Sequence, residues 1–186
     1  MTIAQLVSGF APETSLERKL TADPMLLRGL AWGRPRPGHP EGMVGRHVSD
    51  ILAAISEPSS GRRAELRFLA LVHDAFKYRV QPDRGYSRDN DHAVLARRFA
   101  ERYTHDPRLL DTLELHDAAY HIWRSRTDDG RAALHALLAR VPDLDLFLRF
   151  VELDSSTEGK NPAPFAWLRA MVTAHTVRLD GAALAA

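Results

Sequence analysis

Cysteine is absent from the 186 residues, which excludes disulfides, thiolate metal sites and cysteine nucleophiles. A metal held by this chain must be held by nitrogen and oxygen, and imidazole with carboxylate suits Zn, Mn, Fe, Co or Ni. Long apolar runs are absent too, since none approaches the roughly 18 residues that a membrane span needs. The opening MTIAQLVSGFAPETS has no basic segment followed by an apolar stretch, and the closing DGAALAA carries no lipidation signal. The expectation is a cytoplasmic protein without a membrane partner. Charge of one sign is lacking as well: 25 Lys and Arg against 24 Asp and Glu leave a net +1, too balanced to require nucleic acid as a partner. No GxSxG and no P-loop pattern occurs, so neither a serine elbow nor a phosphate-cradling loop is expected.

What is present is an ordinary globular composition, 45% hydrophobic and 26% charged, of a length that suits one domain. Apolar residues recur at helical spacing almost throughout, with no convincing period-2 strand, so the expected class is all-α. The periodicity predicts one or two short helices over Ser15–Trp32, interrupted near Asp23-Pro24. A Pro/Gly loop follows from Gly33 to Gly42, then helices at Val44–Glu57 and Ala64–Arg79. A polar loop spans Gln81–Asn90. Further helices are predicted at Asp91–Tyr103, Pro107–Arg124, Gly130–Arg140, Asp143–Asp154 and, after the loop DSSTEGKNPAP, Ala163–Arg178.

The polar residues on the apolar faces carry the information. His47 lies three residues after Val44 and four before Ile51, and so points inward with Val48 and Ile55. His73 falls four after Leu69 and three before Phe76, with Asp74 beside it. His92 opens the stripe Leu95, Ala96, Phe99, Tyr103. His116 lines up with Leu109, Leu113 and Tyr120, and Phe147, Phe150 and Val151 lead to Asp154. Burying one unpaired imidazole or carboxylate costs several kcal/mol, on the order of a hydrogen bond or more. Five helices that each project such a group inward point to a shared cation, which gives every lone pair a partner. His39 and His105 fall in loops. His135 could face either way, and His175 sits on the last helix among core residues.

The order of these residues, a lone His in GRHVSDILAAI, a His-Asp pair 26 residues later in FLALVHDAFK and a distant Asp in FVELDSSTEGK, resembles the HD-domain superfamily. GHPEGMVGRHV, with His39, Pro40 and Glu41 ahead of His47, together with DHAVLARRFAERY and LELHDAAYHIWR, is similar to the HD domain attached to some bacterial tRNA nucleotidyltransferases, without their nucleotidyltransferase head. The resemblance covers about residues 39–160. It implies a single HD-type helical bundle over 1–186, with an N-terminal helical extension and a C-terminal helix.

It implies further that the fold is a metal-dependent phosphohydrolase acting on a small phosphate ester, with a nucleotide as the expected class. His47, His73, Asp74 and Asp154 would bind one divalent ion (Mn, Fe, Co, Ni, Zn or Mg). Where a second is held, Asp74 would bridge to it and His92 and His116 would bind it, unless these two histidines only line the pocket. The metal would activate water, so Asp74 has a catalytic role through the metal. Lys77 in HDAFK would stabilise phosphate charge as a catalytic and substrate-binding group, and Lys160 would bind substrate. Asp117 could orient a ligand imidazole or be a surface acid, while Arg46 and Arg124 are read as surface residues. Two alternatives stay open: a di-iron oxygenase resembling myo-inositol oxygenase, which uses the same ligand order, and a non-catalytic HD module.

Overall fold

The computed structural model describes residues 1–37, 40–59, 61–125 and 130–183, with side chains described as far as residue 174. His39 and the side chain of His175 therefore lie outside the described residues. The fold is all-α, with no strand among the described residues. In chain order the helices are α1 (Ile3–Leu6), α2 (Ser15–Leu20), α3 (Pro24–Leu30), α4 (Val44–Ala54), α5 (Gly61–Val72), α6 (His92–Ala100), α7 (Pro107–Leu115), α8 (Ala118–Ser125), α9 (Gly130–Leu138), α10 (Leu144–Ser155) and α11 (Ala163–Ala183).

Several starts are set by side-chain caps visible in the sequence. Thr14 accepts from the Glu17 amide at α2, and Asp91 accepts from Ala93 at α6. Asp143 accepts from Leu146 at α10. The two Asp-Pro pairs work alike. Asp23 caps α3 and Asp106 caps α7, each followed by a proline whose missing N–H is not needed in the first turn.

Two clusters of apolar side chains make the interior. The larger gathers α1 to α7 with one side of α10, including Leu20, Leu26, Leu30, Ile51, Leu66, Leu69, Phe76, Leu113 and Phe150. The smaller joins α8, α9 and α11 to the other side of α10 through Ala119, Leu134, Phe147, Val151 and Leu168. Helix α10 thus serves both, with Leu146, Phe150 and Leu153 turned to one cluster and Phe147 and Val151 to the other. The first 30 residues are part of this core rather than an appendage, because Val7, Leu20, Leu26 and Leu30 are all fully buried. A buried ion pair ties them in: Arg67 of α5 donates from Nε and Nη2 to the Glu17 carboxylate at 2.8 and 3.0 Å, and from Nη2 to the Ala11 carbonyl at 2.8 Å.

Several predicted helices end two or three residues early, and two are broken well inside their expected spans, where the difference matters for function. The helix expected over Ala64–Arg79 stops at Val72 and tightens into turns and a 3-10 segment, Lys77–Arg79. The helix expected over Pro107–Arg124 is divided, with α7 ending at Leu115 and α8 beginning at Ala118. Tyr120, which helical spacing placed on the apolar stripe, is 41% exposed as a result. Neither break contains glycine or proline. In each a His-Asp pair follows the last helical residue.

Candidate metal centre

The two His-Asp pairs are built alike. A helix leaves its last carbonyls without intrahelical donors. At the end of α5 the His73 Nδ1 lies 3.0 Å from the Ala70 carbonyl. At the end of α7 the His116 Nδ1 lies 2.8 Å from the Leu113 carbonyl. A carbonyl accepts, so each Nδ1 carries the proton. Each Nε2 is left with its lone pair, the tautomer a metal ligand requires. The turn then brings the following carboxylate, Asp74 or Asp117, to the same side as that Nε2.

Around Asp74 the groups converge. Its Oδ2 lies 3.6 Å from His73 Nε2 and receives Lys77 Nζ at 2.5 Å. Its Oδ1 lies 3.4 Å from His92 Nε2 and 3.7 Å from His116 Nε2. Asp154, at the end of α10, is 2.8 Å from His47 Nε2 and 3.8 Å from His73 Nε2 through Oδ1. The imidazoles of His47 and His116 flank that of His73 at 5.4 and 5.3 Å between centroids. Phe150 closes the apolar side edge-on to His73.

His47, His73, Asp74 and His116 are buried. The Nε2 atoms of His73, His92 and His116 and the Oδ1 of Asp74 are buried without any hydrogen-bond partner. So many orphaned lone pairs in one place would each cost about 1–3 kcal/mol, and a cation removes the cost for all of them. Two groups have donor atoms close enough to hold a metal ion, His47 with His73 and Asp74, and Asp74 with His92 and His116. The residues present therefore fit a metal.

The local charges point the same way. Burial alone would raise the Asp74 and Asp154 carboxyls. The Lys77 ammonium beside the first, and the His47 hydrogen bond with the Lys160 ammonium beside the second, instead hold both well below the usual carboxylate range. His73, wholly enclosed, is pushed down to about 4 by burial, so it stays neutral. His92 behaves oppositely. Burial works against its charge, but the Asp117 and Asp74 carboxylates outweigh it and lift the imidazole to about 9. His116 is also raised, against burial, by Asp117 and Asp74. Without a metal this half of the site takes up protons, since its carboxylates need positive charge.

Lys77 and Lys160 both reach the site. Lys77 stays charged because Asp74 and Asp117 offset the penalty of its burial. Lys160 Nζ is 3.7 Å from Asp154 Oδ1. Its loop is set by Gly159, whose φ of +78° places a position that would bear Cβ 2.9 Å from the Pro40 ring, so only glycine fits there without strain. Beside the centre opens a cavity of about 370 Å³. Lys77, His116, Asp117, Asp154 and Lys160 line its polar end, and Val151, Pro164, Phe165 and Leu168 line its apolar wall.

Sequence reasoning missed His121 and Asn161, which also line this cavity. His121 follows Asp117 by four residues, the spacing of one helix face. Arg46, Arg124, His105 and His135 are exposed. Comparison of the chain with family models, with curated proteins and with solved structures finds no match.

Proposed function

We propose that the chain is a metal-dependent phosphohydrolase of the HD type, acting on a small phosphate monoester or diester with a nucleotide as the favoured class. One observation carries the reading: the orphaned Nε2 atoms of His73, His92 and His116 and the Oδ1 of Asp74 gather beside a cavity that His116, Asp154 and two lysines line. His47, His73, Asp74 and Asp154 would hold one divalent ion, and Asp74, His92 and His116 a second. The bound metal supplies an acidified water and positive charge for a phosphoryl oxygen.

The chain's own groups do the rest. Lys77, held charged by Asp74 and Asp117, offers an ammonium to phosphate oxygens, and Lys160 offers another from the opposite loop. A phosphoester between them gains two fixed cations at one end. The apolar wall of Val151, Phe165 and Leu168 takes the organic part and excludes water from that side. A volume of about 370 Å³ lies at the small end of ligand sites, which run from about 300 to 1,000 Å³, and so favours a mononucleotide-sized ester over a polymer. The lysines favour phosphate over the uncharged substrate of an oxygenase.

The test is a phosphoester panel with the protein loaded in turn with Mn, Co, Ni, Zn and Mg. Phosphate release that disappears in Asp74→Ala supports the reading. Absence of release with every metal, or oxygen consumption by the iron-loaded protein in its place, overturns it.

A further inference from the structure

The second half of the centre holds one donor more than the ligand order of the sequence supplies. Asp117 sits where a ligand sits, on the lone-pair side of both imidazoles. Its Oδ2 is 3.3 Å from His92 Nε2 and 3.8 Å from His116 Nε2. A residue that merely orients an imidazole binds the other nitrogen, and for His116 that place is taken by the Leu113 carbonyl.

The four atoms Asp74 Oδ1, His92 Nε2, His116 Nε2 and Asp117 Oδ2 are separated, where they adjoin, by 3.4, 3.3, 3.7 and 3.8 Å. Neighbouring donors at about 2.0–2.2 Å from one metal lie about 3–3.6 Å apart, so Asp117 Oδ2 stands close to ligand spacing from both imidazoles, while the donor atoms that already lie within 4.8 Å of one another are those of Asp74, His92 and His116. The buried Nε2 atoms of His92 and His116 and the Asp74 Oδ1 have no partner inside this ring. The local sequence repeats as well: Val72-His73-Asp74-Ala75 and Leu115-His116-Asp117-Ala118 each end a helix and turn an imidazole and a carboxylate to one side.

We infer that Asp117 is a direct metal ligand, completing a cage of two carboxylates and two imidazoles with Asp74, His92 and His116. The inference rests on the proposed metal centre but not on the hydrolysis. Its charge follows from the chemistry: the cage sets two anionic oxygens against one divalent ion, with Asp74 shared between the two halves.

The experiment is cobalt titration of the purified metal-free chain, read by bound metal and by the visible absorption that is intense for four-coordinate Co²⁺ and weak for six-coordinate. Wild type is expected to bind two equivalents, with the intense band growing over both, since His47, His73, Asp74 and Asp154 also number four donors. Asp117→Ala and the isosteric Asp117→Asn are expected to retain one equivalent and to bind the other at least about tenfold more weakly, with the second equivalent adding no intense band. The band added by the second equivalent is the deciding signal, since loss of an orienting group lowers affinity and leaves the coordination number unchanged. The inference is overturned if the second equivalent adds the intense band in either variant, if both keep wild-type affinity for two equivalents, or if the second equivalent adds no intense band in wild type. Should Asp117→Ala fail to retain the helical content of wild type, Asp117→Asn and the wild-type spectrum decide. Phosphate release by wild type is scored apart. Its failure with the band intact removes the hydrolase and leaves the cage, and the reverse result removes the cage alone.

Discussion

Metal loading should expel a proton that His92 holds in the metal-free protein. With its imidazole lifted to about 9 by Asp117 and Asp74, His92 is almost fully protonated at about pH 7.5, whereas an imidazole at its ordinary 6.5 would hold only about 0.1 proton there. A metal needs the neutral ring, so binding must release about one proton from this residue alone, with a further share from His116, which is raised in the same sense. The sign is fixed. Acid favours the protonated site and weakens metal binding, and affinity rises with pH until the solution passes the imidazole's own value. At about pH 9 His92 is half deprotonated beforehand and its share falls to about 0.5. Water ionising on the metal would do the reverse, releasing more at higher pH. Calorimetric Mn²⁺ titrations in buffers of different ionisation enthalpy give the proton count directly. A release that stays near 0.1–0.2 at about pH 7.5, as unshifted histidines would give, or one that grows towards pH 9, refutes the electrostatic reasoning.

Other outcomes follow from the packing and from the lysine. Arg67→Ala strands the buried Glu17 carboxylate and should cost about 3–5 kcal/mol in urea unfolding; a loss under about 1 kcal/mol would mean the pair is solvated. Gly29→Ala would set a methyl group 1.7 Å from the Ala75 carbonyl oxygen, forcing α3 away from the turn that carries Asp74. It should destabilise by about 3 kcal/mol or more and weaken metal binding, and unchanged melting would contradict the packing. Lys77→Ala should lower phosphoester kcat/KM by about 100-fold with metal content retained, whereas loss of metal without loss of rate per metal would assign Lys77 to the centre's assembly instead.

The all-α architecture and most helix positions were legible because core helices write a 3.6-residue rhythm into the chain, and the Asp-Pro pairs mark two starts outright. The convergence of His47, His73, Asp74, His92, His116 and Asp154 could be anticipated because polar ligand-type residues interrupt apolar faces, an expensive arrangement without a partner. The helix breaks were not legible. Nothing in LVHDAF or ELHDAA stops a helix by propensity, and the turn is made by an imidazole bonding the carbonyl three residues back, an interaction that depends on where Nε2 is wanted. The same break explains the misplacement of Tyr120, and Lys77 meets Asp74 three residues back through a tightened turn, not the expected α-helical one. Burial of the first 30 residues was hidden because short helices such as Ile3–Leu6 give too few turns for a period to show.

The breaks also explain why the centre is cationophilic. Asp74 follows the C-terminus of α5 and Asp154 lies in the last turn of α10, whereas Asp117 stands between the end of α7 and the start of α8. A helix C-terminus carries about half a negative charge, so Asp74 and Asp154 stand where the backbone already disfavours anions. Placed at helix N-termini they would have been ordinary caps, as Asp23, Asp91, Asp106 and Asp143 are in this chain. At C-termini they concentrate negative potential that Lys77 and Lys160 offset only in part, and protons on His92 and His116 make up the difference in the absence of metal. A divalent ion does so without protonating the imidazoles, which frees their lone pairs to bind it. Position along the helix, more than residue type, therefore separates Asp74 and Asp154 from the aspartates that cap the helices of this fold.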